Sequence, residues 1–293
     1  MKRKLEGFMG RTHCLLSLCF LFAFMMIPLE FFEMTFWRLK EDWILAIAGI
    51  IILCGGALFP DLDADNSSAA ATLGPLGTIF KTFMKSTSSV VWNLYHFGGD
   101  RKPNTQHRYL WHAPIIWIGL GTLLYVGLNG GEYNIFTNVV NSFKTNNFLY
   151  FLRTNAVLAL FIILMFMSVL IGSSKVLEGT TKILGKVVGI PKIIKYIFPI
   201  LILFYIFTTS YSNLRVLGIC FATGAFLHCI EDGFADTGLP SLIFPIPQFW
   251  RNRVWGRIKL FPVTVTTNSM ANTIVDFVAA ATMIILAVIA FRS

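Results

Sequence analysis

Charged side chains are scarce in this chain. Only 13% of its 293 residues are Asp, Glu, Lys or Arg, whereas 55% are hydrophobic and the mean hydropathy is +0.68. In a soluble domain about a quarter of the residues are charged, and a soluble protein of this composition would expose apolar patches larger than monomers tolerate. The composition therefore excludes a soluble globular protein and predicts an integral membrane protein.

Paired cysteine motifs and a signal cleavage motif are also lacking. The five cysteines form no CxxC pattern and are odd in number, so we expect buried thiols and no disulfide framework. No small-x-small site follows the apolar run from Cys14 to Phe32, which is longer than the core of a typical signal peptide. We therefore expect this run to be retained as a first membrane span.

Long apolar runs dominate the chain. Runs of about 17 to 25 residues can cross a bilayer as helices, and about seven are present, at approximately 13 to 32, 43 to 60, 112 to 128, 148 to 171, 194 to 210, 214 to 231 and 270 to 291. Gly55, Gly56 and Gly224 predict close helix packing, and the amphipathic stretch 80 to 97 predicts a helix in the membrane interface. The sequence thus predicts an all-α, polytopic helical bundle, with residues 1 to 293 as a single integral membrane domain.

Basic residues are distributed unevenly between the two sides of this predicted bundle. With seven spans, the N-terminus and the three longest polar stretches share one side, which carries 18 of the 24 Lys and Arg residues. By the positive-inside rule this side is cytoplasmic, which predicts a multi-pass protein of the cell inner (cytoplasmic) membrane. Orientation and contact with anionic lipid headgroups explain the net charge of +9, so no nucleic-acid partner is expected.

Imidazole and carboxylate groups lie at the ends of several segments, all on the predicted cytoplasmic side. They are His13, Asp61, Asp63, His107, His112, His228 and Asp232. A charged aspartate at the centre of a membrane helix costs about 2.5 to 3.5 kcal/mol on insertion scales, so such groups usually have a partner or a function. A bound metal ion would supply both, and we predict a metal site on this side.

Spacing supports this interpretation but leaves alternatives open. His228 and Asp232 are four residues apart, so on a helix they share one face, either as two ligands of one metal or as a structural hydrogen-bonded pair. Asp61 and Asp63 follow Pro60 in a turn or extended segment, where both carboxylates could reach one cation. The alternative for these two aspartates is a solvated helix cap and turn.

The remaining candidates are more ambiguous individually. We expect His107 in a polar loop and His112 in the first turn of the third segment, and either could instead bond to backbone at the interface. A lone His13 at the start of a span is more often a boundary residue than a ligand, and His96 is expected to be structural. Glu231 is expected to be a solvated helix end, with a general base as the alternative.

Four blocks of sequence occur in a characteristic order. They are Thr12-His13, the run Pro60 to Asp63 with Ser67, the block His107-Arg108 to His112, and the run Gly224 to His228 continuing through Asp232 to Phe244-Pro245. In this order they resemble the motifs of the YdjM-like family of membrane-bound metal-dependent hydrolases. The chain departs from the family pattern at Trp111 and Ala113, where Thr and Ser are common, and at Ala64, where a His is frequent.

The family is distantly similar to zinc-dependent phospholipase C, a group of helical enzymes whose His and Asp side chains hold clustered metals that cleave phosphodiesters. The resemblance implies that the seven His and Asp residues bind divalent metal, Zn first with Mn or Fe as alternatives. Arg108 is then a candidate phosphate clamp and Asp65 a candidate general base. The implied reaction is hydrolysis of a phosphoester, such as a phospholipid or another amphiphilic phosphate taken from the membrane lipids.

Two other classes of function remain at this point. A noncatalytic membrane effector or structural protein could retain the metal site, since Trp111 and Ala113 replace the family's polar residues. A transporter or ion channel is less favoured, because the candidate ligands lie at segment ends rather than at mid-depth. No paired Gly/Pro-broken segments suggest inverted repeats either.

Overall fold

The structure is a computed structural model that describes residues 10–26, 38–65, 67–95, 110–128, 155–184, 194–234 and 270–292, with the single residues 135, 140 and 144. Within these ranges the chain is helical and contains no β-strand. The predicted all-α class is therefore confirmed for the described part of the chain. Predictions that concern His96, His107 and Arg108 fall outside the described residues.

Nine helices longer than one turn occur in these ranges. They are α1 (Gly10–Met26), α2 (Trp43–Leu58), α3 (Ser68–Leu73), α4 (Pro75–Tyr95), α5 (Pro114–Gly127), α6 (Ala156–Leu184), α7 (Ile194–Thr208), α8 (Tyr211–Asp232) and α9 (Met270–Arg292). A one-turn helix, Arg38–Glu41, precedes α2, and two short 3-10 turns, Pro60–Asp63 and Leu110–His112, follow α2 and precede α5.

Four of these helical segments are long and apolar enough to cross a membrane. They are Trp43–Asp63, Ala156–Glu178, Tyr211–Asp232 and Asn272–Arg292, whereas α1, α5 and most of α7 are shorter apolar helices. The chain is thus a membrane protein by the length and composition of its helices, and a count of seven spans stays a prediction. One predicted boundary was wrong. The segment expected at approximately 148 to 171 continues as helix α6 to Leu184, into the polar stretch that follows it.

Helix α2 lies at the centre of the bundle. In its apolar segment 78% of the residues are buried, compared with 17% in that of α9. Helices α8, α6 and α1 all pack against it. Asp42 starts α2 by accepting hydrogen bonds from the backbone N–H groups of Ile44 and Leu45, at 2.9 and 3.0 Å. At the other end Pro60, which has no N–H to continue the helix, leads the chain into the 3-10 turn.

Glycine permits the close approach of α2 and α8. A Cβ on Gly56 would overlap the carbonyl oxygen of Phe221, and a Cβ on Gly224 would overlap that of Leu53. Gly55 is equally close to Ser168 of α6. The predicted close packing at these glycines is confirmed, and it brings the C-terminal ends of α2 and α8 together.

Replacement of Gly56 by alanine tests this packing. The added methyl group would overlap backbone, and because overpacking costs about 1 to 3 kcal/mol, we expect a lower thermal unfolding midpoint for the purified protein in detergent. Gly119→Ala on α5 is the matched control, since nothing lies within 4 Å of its Cβ position. Equal midpoints for the two variants would show that α2 and α8 are not held at this distance.

Candidate metal centre

The 3-10 turn after α2 carries the first two carboxylates of the site. The Asp63 side chain is fully buried and that of Asp61 is 27% exposed. The alternative of a solvated cap and turn is therefore wrong for Asp63. The turn directs Asp61 towards His228, with Oδ1 3.6 Å from Nε2, and Asp63 towards His112, with Oδ1 3.6 Å from Nε2.

Helix α8 carries His228 and Asp232 on one face, as their spacing predicts. The Nδ1 of His228 lies 2.7 Å from the carbonyl oxygen of Ala57. A carbonyl only accepts hydrogen bonds, so Nδ1 must carry the proton and donate. In the neutral ring Nε2 then keeps its lone pair, and it has no hydrogen-bond partner among the described residues. It lies 3.6 Å from Oδ2 of Asp232 and 3.6 Å from Oδ1 of Asp61.

His112 reaches the site from the short turn that precedes α5. It ends the 3-10 turn Leu110–His112 instead of lying in the first turn of α5, which begins at Pro114. Its Nδ1 is 2.8 Å from Oδ2 of Asp232. One carboxylate oxygen of Asp232 therefore lies between the imidazoles of His112 and His228, and all three side chains are buried.

His13 joins the site from α1. Its ring packs on that of His228, with centroids 4.0 Å apart and planes inclined by 32°. Its Nδ1 is 2.5 Å from Oε2 of Glu231. Glu231 is only 3% exposed, so the expectation that it is a solvated helix end was wrong. The reason is the docking of α1 against this face of α8, which spacing along α8 does not reveal.

Two overlapping groups in the described part of the chain could hold a metal ion. One consists of His13, His228 and Asp232, the other of Asp61, His112 and His228, and in each the donor atoms lie within 4.8 Å of one another. Ligands bonded at about 2.0 to 2.1 Å to one tetrahedral zinc ion are separated by about 3.4 Å. The 3.6 Å distances around Nε2 of His228 are close to that value, so the residues present fit a zinc-like ion.

No known family model matches the chain, and comparisons with characterised proteins and with solved structures also give no match. The resemblance to the YdjM-like family remains a prediction. The geometry brings together six of the seven predicted ligands, His13, Asp61, Asp63, His112, His228 and Asp232. Metal binding by these residues remains a prediction as well.

Asp65 takes part in a different set of contacts. Its side chain is 62% exposed, and its Oδ1 lies 2.5 Å from Nζ of Lys85 and 3.1 Å from Nζ of Lys81. Hydrogen bonds from Lys85 and then Lys81 hold the pKa of Asp65 below its ordinary value. A lowered pKa makes a carboxylate a weaker proton acceptor. Asp65 belongs to neither candidate metal group, and its role as a general base remains a prediction.

Trp111 connects the site to α4. Its indole Nε1 donates to Thr87 Oγ1 at 3.0 Å and to the carbonyl of Met84 at 3.2 Å. The carbonyl of Trp111 in turn accepts from Nε1 of Trp117 at 2.8 Å. These bonds fix the short turn that presents His112, so in this chain indole groups orient that turn.

Substitution of Asp232 by asparagine tests whether the cluster binds metal. The amide keeps the shape of the side chain but removes the charge between His112 and His228, so we expect zinc affinity to fall at least about 100-fold. Competition with a chromophoric chelator measures this affinity in purified, metal-stripped protein. Asp42→Asn is the control, because asparagine also caps helices and because α2, at about 1.5 Å per residue, places position 42 about 24 Å away. Undiminished zinc binding by the Asp232 variant would exclude this carboxylate as a ligand.

Proposed function

We propose that this chain is a membrane-embedded, metal-dependent hydrolase that acts on a phosphoester. The observation that carries the proposal is the burial of three histidines and two aspartates, with a third aspartate partly exposed, at one end of apolar helices. Burying several carboxylates together is costly unless a cation compensates them. A set of imidazole and carboxylate donors suits zinc, manganese or iron better than calcium.

A divalent metal ion at such a site lowers the pKa of bound water and neutralises phosphoryl oxygens. The chain's own residues prepare the site for it. The Ala57 carbonyl fixes the tautomer and direction of His228, and Asp232 orients His112 through Nδ1. Asp61 has the more exposed side chain of the aspartate pair, at 27%, so a substrate and water would reach the centre on its side.

The substrate that we propose is amphiphilic, such as a phospholipid or another lipid phosphate. Helix α4 packs against both short turns that carry the ligands. It exposes large apolar side chains, including Ile79 and Phe83, and carries Lys81 and Lys85 near the site. A helix of this kind suits the boundary between headgroups and acyl chains, where a lipid could reach the centre laterally. We therefore propose that α4 lies in the membrane interface.

We propose that this face of the protein is cytoplasmic, in an inner membrane. The uneven distribution of Lys and Arg supports this orientation through the positive-inside rule. Arg108 would then be available to clamp a phosphate, and His107 to complete the ligand set, although both lie outside the described residues.

A noncatalytic effector that keeps the metal for stability is the second candidate. The observation in its favour is the residue next to His112. The family that the sequence resembles commonly has Thr there, whereas this chain has Trp111, whose indole donates to Thr87 of α4. In that case the cluster would bind metal and hold the ends of α2, α5 and α8 together without turnover.

Hydrolysis assays separate these two functions. We expect the zinc-loaded protein in detergent or nanodiscs to release product from a panel of phospholipids and isoprenoid phosphates, followed by mass spectrometry. Asp63→Ala and His228→Ala should reduce that release at least about 100-fold, whereas Asp42→Asn should not. Metal binding by the wild type with no product from any substrate would favour the noncatalytic candidate and sink the enzyme proposal.

Cysteine labelling tests the orientation. Ser86 on α4 and Glu41 before α2 are both exposed and lie near opposite ends of α2. In a background lacking the half-buried Cys19, Ser86→Cys should react with a membrane-impermeant maleimide only from the cytoplasmic side. Glu41→Cys should react only from the other side. The reverse pattern would invert the topology, and labelling of both from one side would mean that α2 does not span the membrane.

A further inference from the structure

Glu231 is a buried acid that contacts the cluster through another residue. It precedes Asp232 on α8 and faces α1 instead of the two imidazoles that Asp232 contacts. Its Oε2 lies 2.5 Å from Nδ1 of His13, and both side chains are at least 95% buried. The contact joins residues 218 positions apart in the chain, so the fold creates it.

This contact decides how His13 presents its ring. When Glu231 is ionised, its carboxylate oxygens only accept hydrogen bonds, so Nδ1 of His13 donates to it. The ring nitrogen that Glu231 does not engage is Nε2. The ring itself lies on that of His228, at a centroid distance of 4.0 Å, and His13 forms one candidate metal group with His228 and Asp232.

Helix α1 has other contacts that hold it against the bundle. Thr12 and Arg11 both bond to Asp276 of α9, and apolar residues such as Leu21 and Phe22 belong to the buried core. The desolvation of two buried polar groups offsets much of the free energy gained by their contact, so a well-packed apolar pair would stabilise this interface at least as much. The position of Glu231 therefore calls for a reason other than helix packing.

We propose that Glu231 is a positioning residue of the metal centre, which holds His13 through Nδ1 so that Nε2 serves as a metal ligand. The inference rests on the proposed metal centre and adds α1 to it. A carboxylate behind a ligating histidine fixes the ring and strengthens it as a donor, and its loss typically lowers metal affinity about 10- to 100-fold. Glu231 acts on the metal only through His13.

Cobalt binding tests this role without reference to turnover. Full-length protein in nanodiscs is stripped with a chelator and titrated with Co²⁺, and affinity and the visible absorption bands are recorded. We expect Glu231→Gln, which keeps the size of the side chain, to bind Co²⁺ about 10- to 100-fold more weakly, with altered bands. Glu41→Gln, at the far end of α2 and exposed, should match the wild type in Co²⁺ affinity, in the absorption bands and in the metal-free unfolding midpoint.

A double-mutant cycle distinguishes positioning from direct ligation. In a His13→Ala background, adding Glu231→Gln should weaken Co²⁺ binding no further. An additional loss would mean that Glu231 binds the metal itself, through Oε1, and would overturn the positioning role. Unchanged affinity in Glu231→Gln alone would also overturn it while leaving the metal centre intact. If the wild type binds no Co²⁺, the proposal of a metal centre is contradicted, and the positioning role of Glu231 with it.

Discussion

The hydrogen bond from Nδ1 of His228 to the carbonyl of Ala57 joins the two helices on which the site is built. The close approach of the two helices depends on Gly56 and Gly224, where a Cβ would overlap the backbone of the facing helix. The hydrogen bond fixes which nitrogen of His228 is protonated, and therefore which nitrogen faces the carboxylates. The geometry of the site therefore depends on how closely the two backbones approach. A wider separation of α2 and α8 would break this hydrogen bond and move His228 away from the carboxylates.

Electrostatic cost shapes the rest of the cluster. Asp63, Glu231 and Asp232 are almost entirely buried among apolar helices, where an uncompensated charge is expensive. Each lies beside an imidazole: Asp63 and Asp232 beside His112, and Glu231 beside His13. Such pairing reduces the penalty, and a divalent cation between the groups would reduce it further. The imidazole groups that allow these carboxylates to be buried in the bundle are also suitable metal ligands.

The opposite end of α2 is held by a different polar network. Tyr205 of α7 donates to Oδ2 of Asp42 at 2.8 Å, and Asn213 of α8 donates to the Tyr205 hydroxyl at 3.3 Å. Among the described residues named here, Asp42 is the one carboxylate and there is no histidine, and these groups form a helix cap and a hydrogen-bonded chain. Helices α2 and α8 are therefore fixed at both ends, and in the described part of the chain the several acids that lie around imidazole groups are at the end opposite Asp42.

The sequence by itself determined the helical class, the apolar helices and the residue types of the site, because hydropathy and the four-residue spacing of His228 and Asp232 act within one helix. It also indicated the close packing at Gly56 and Gly224. Only the tertiary structure decided that Glu231 is buried and holds His13, that Asp63 faces His112, and that Asp65 pairs with Lys81 and Lys85. Successive residues on a helix point about 100° apart, so whether a side chain meets water or another helix depends on what docks there, and the docking of α1 and α4 arises from contacts distant in sequence.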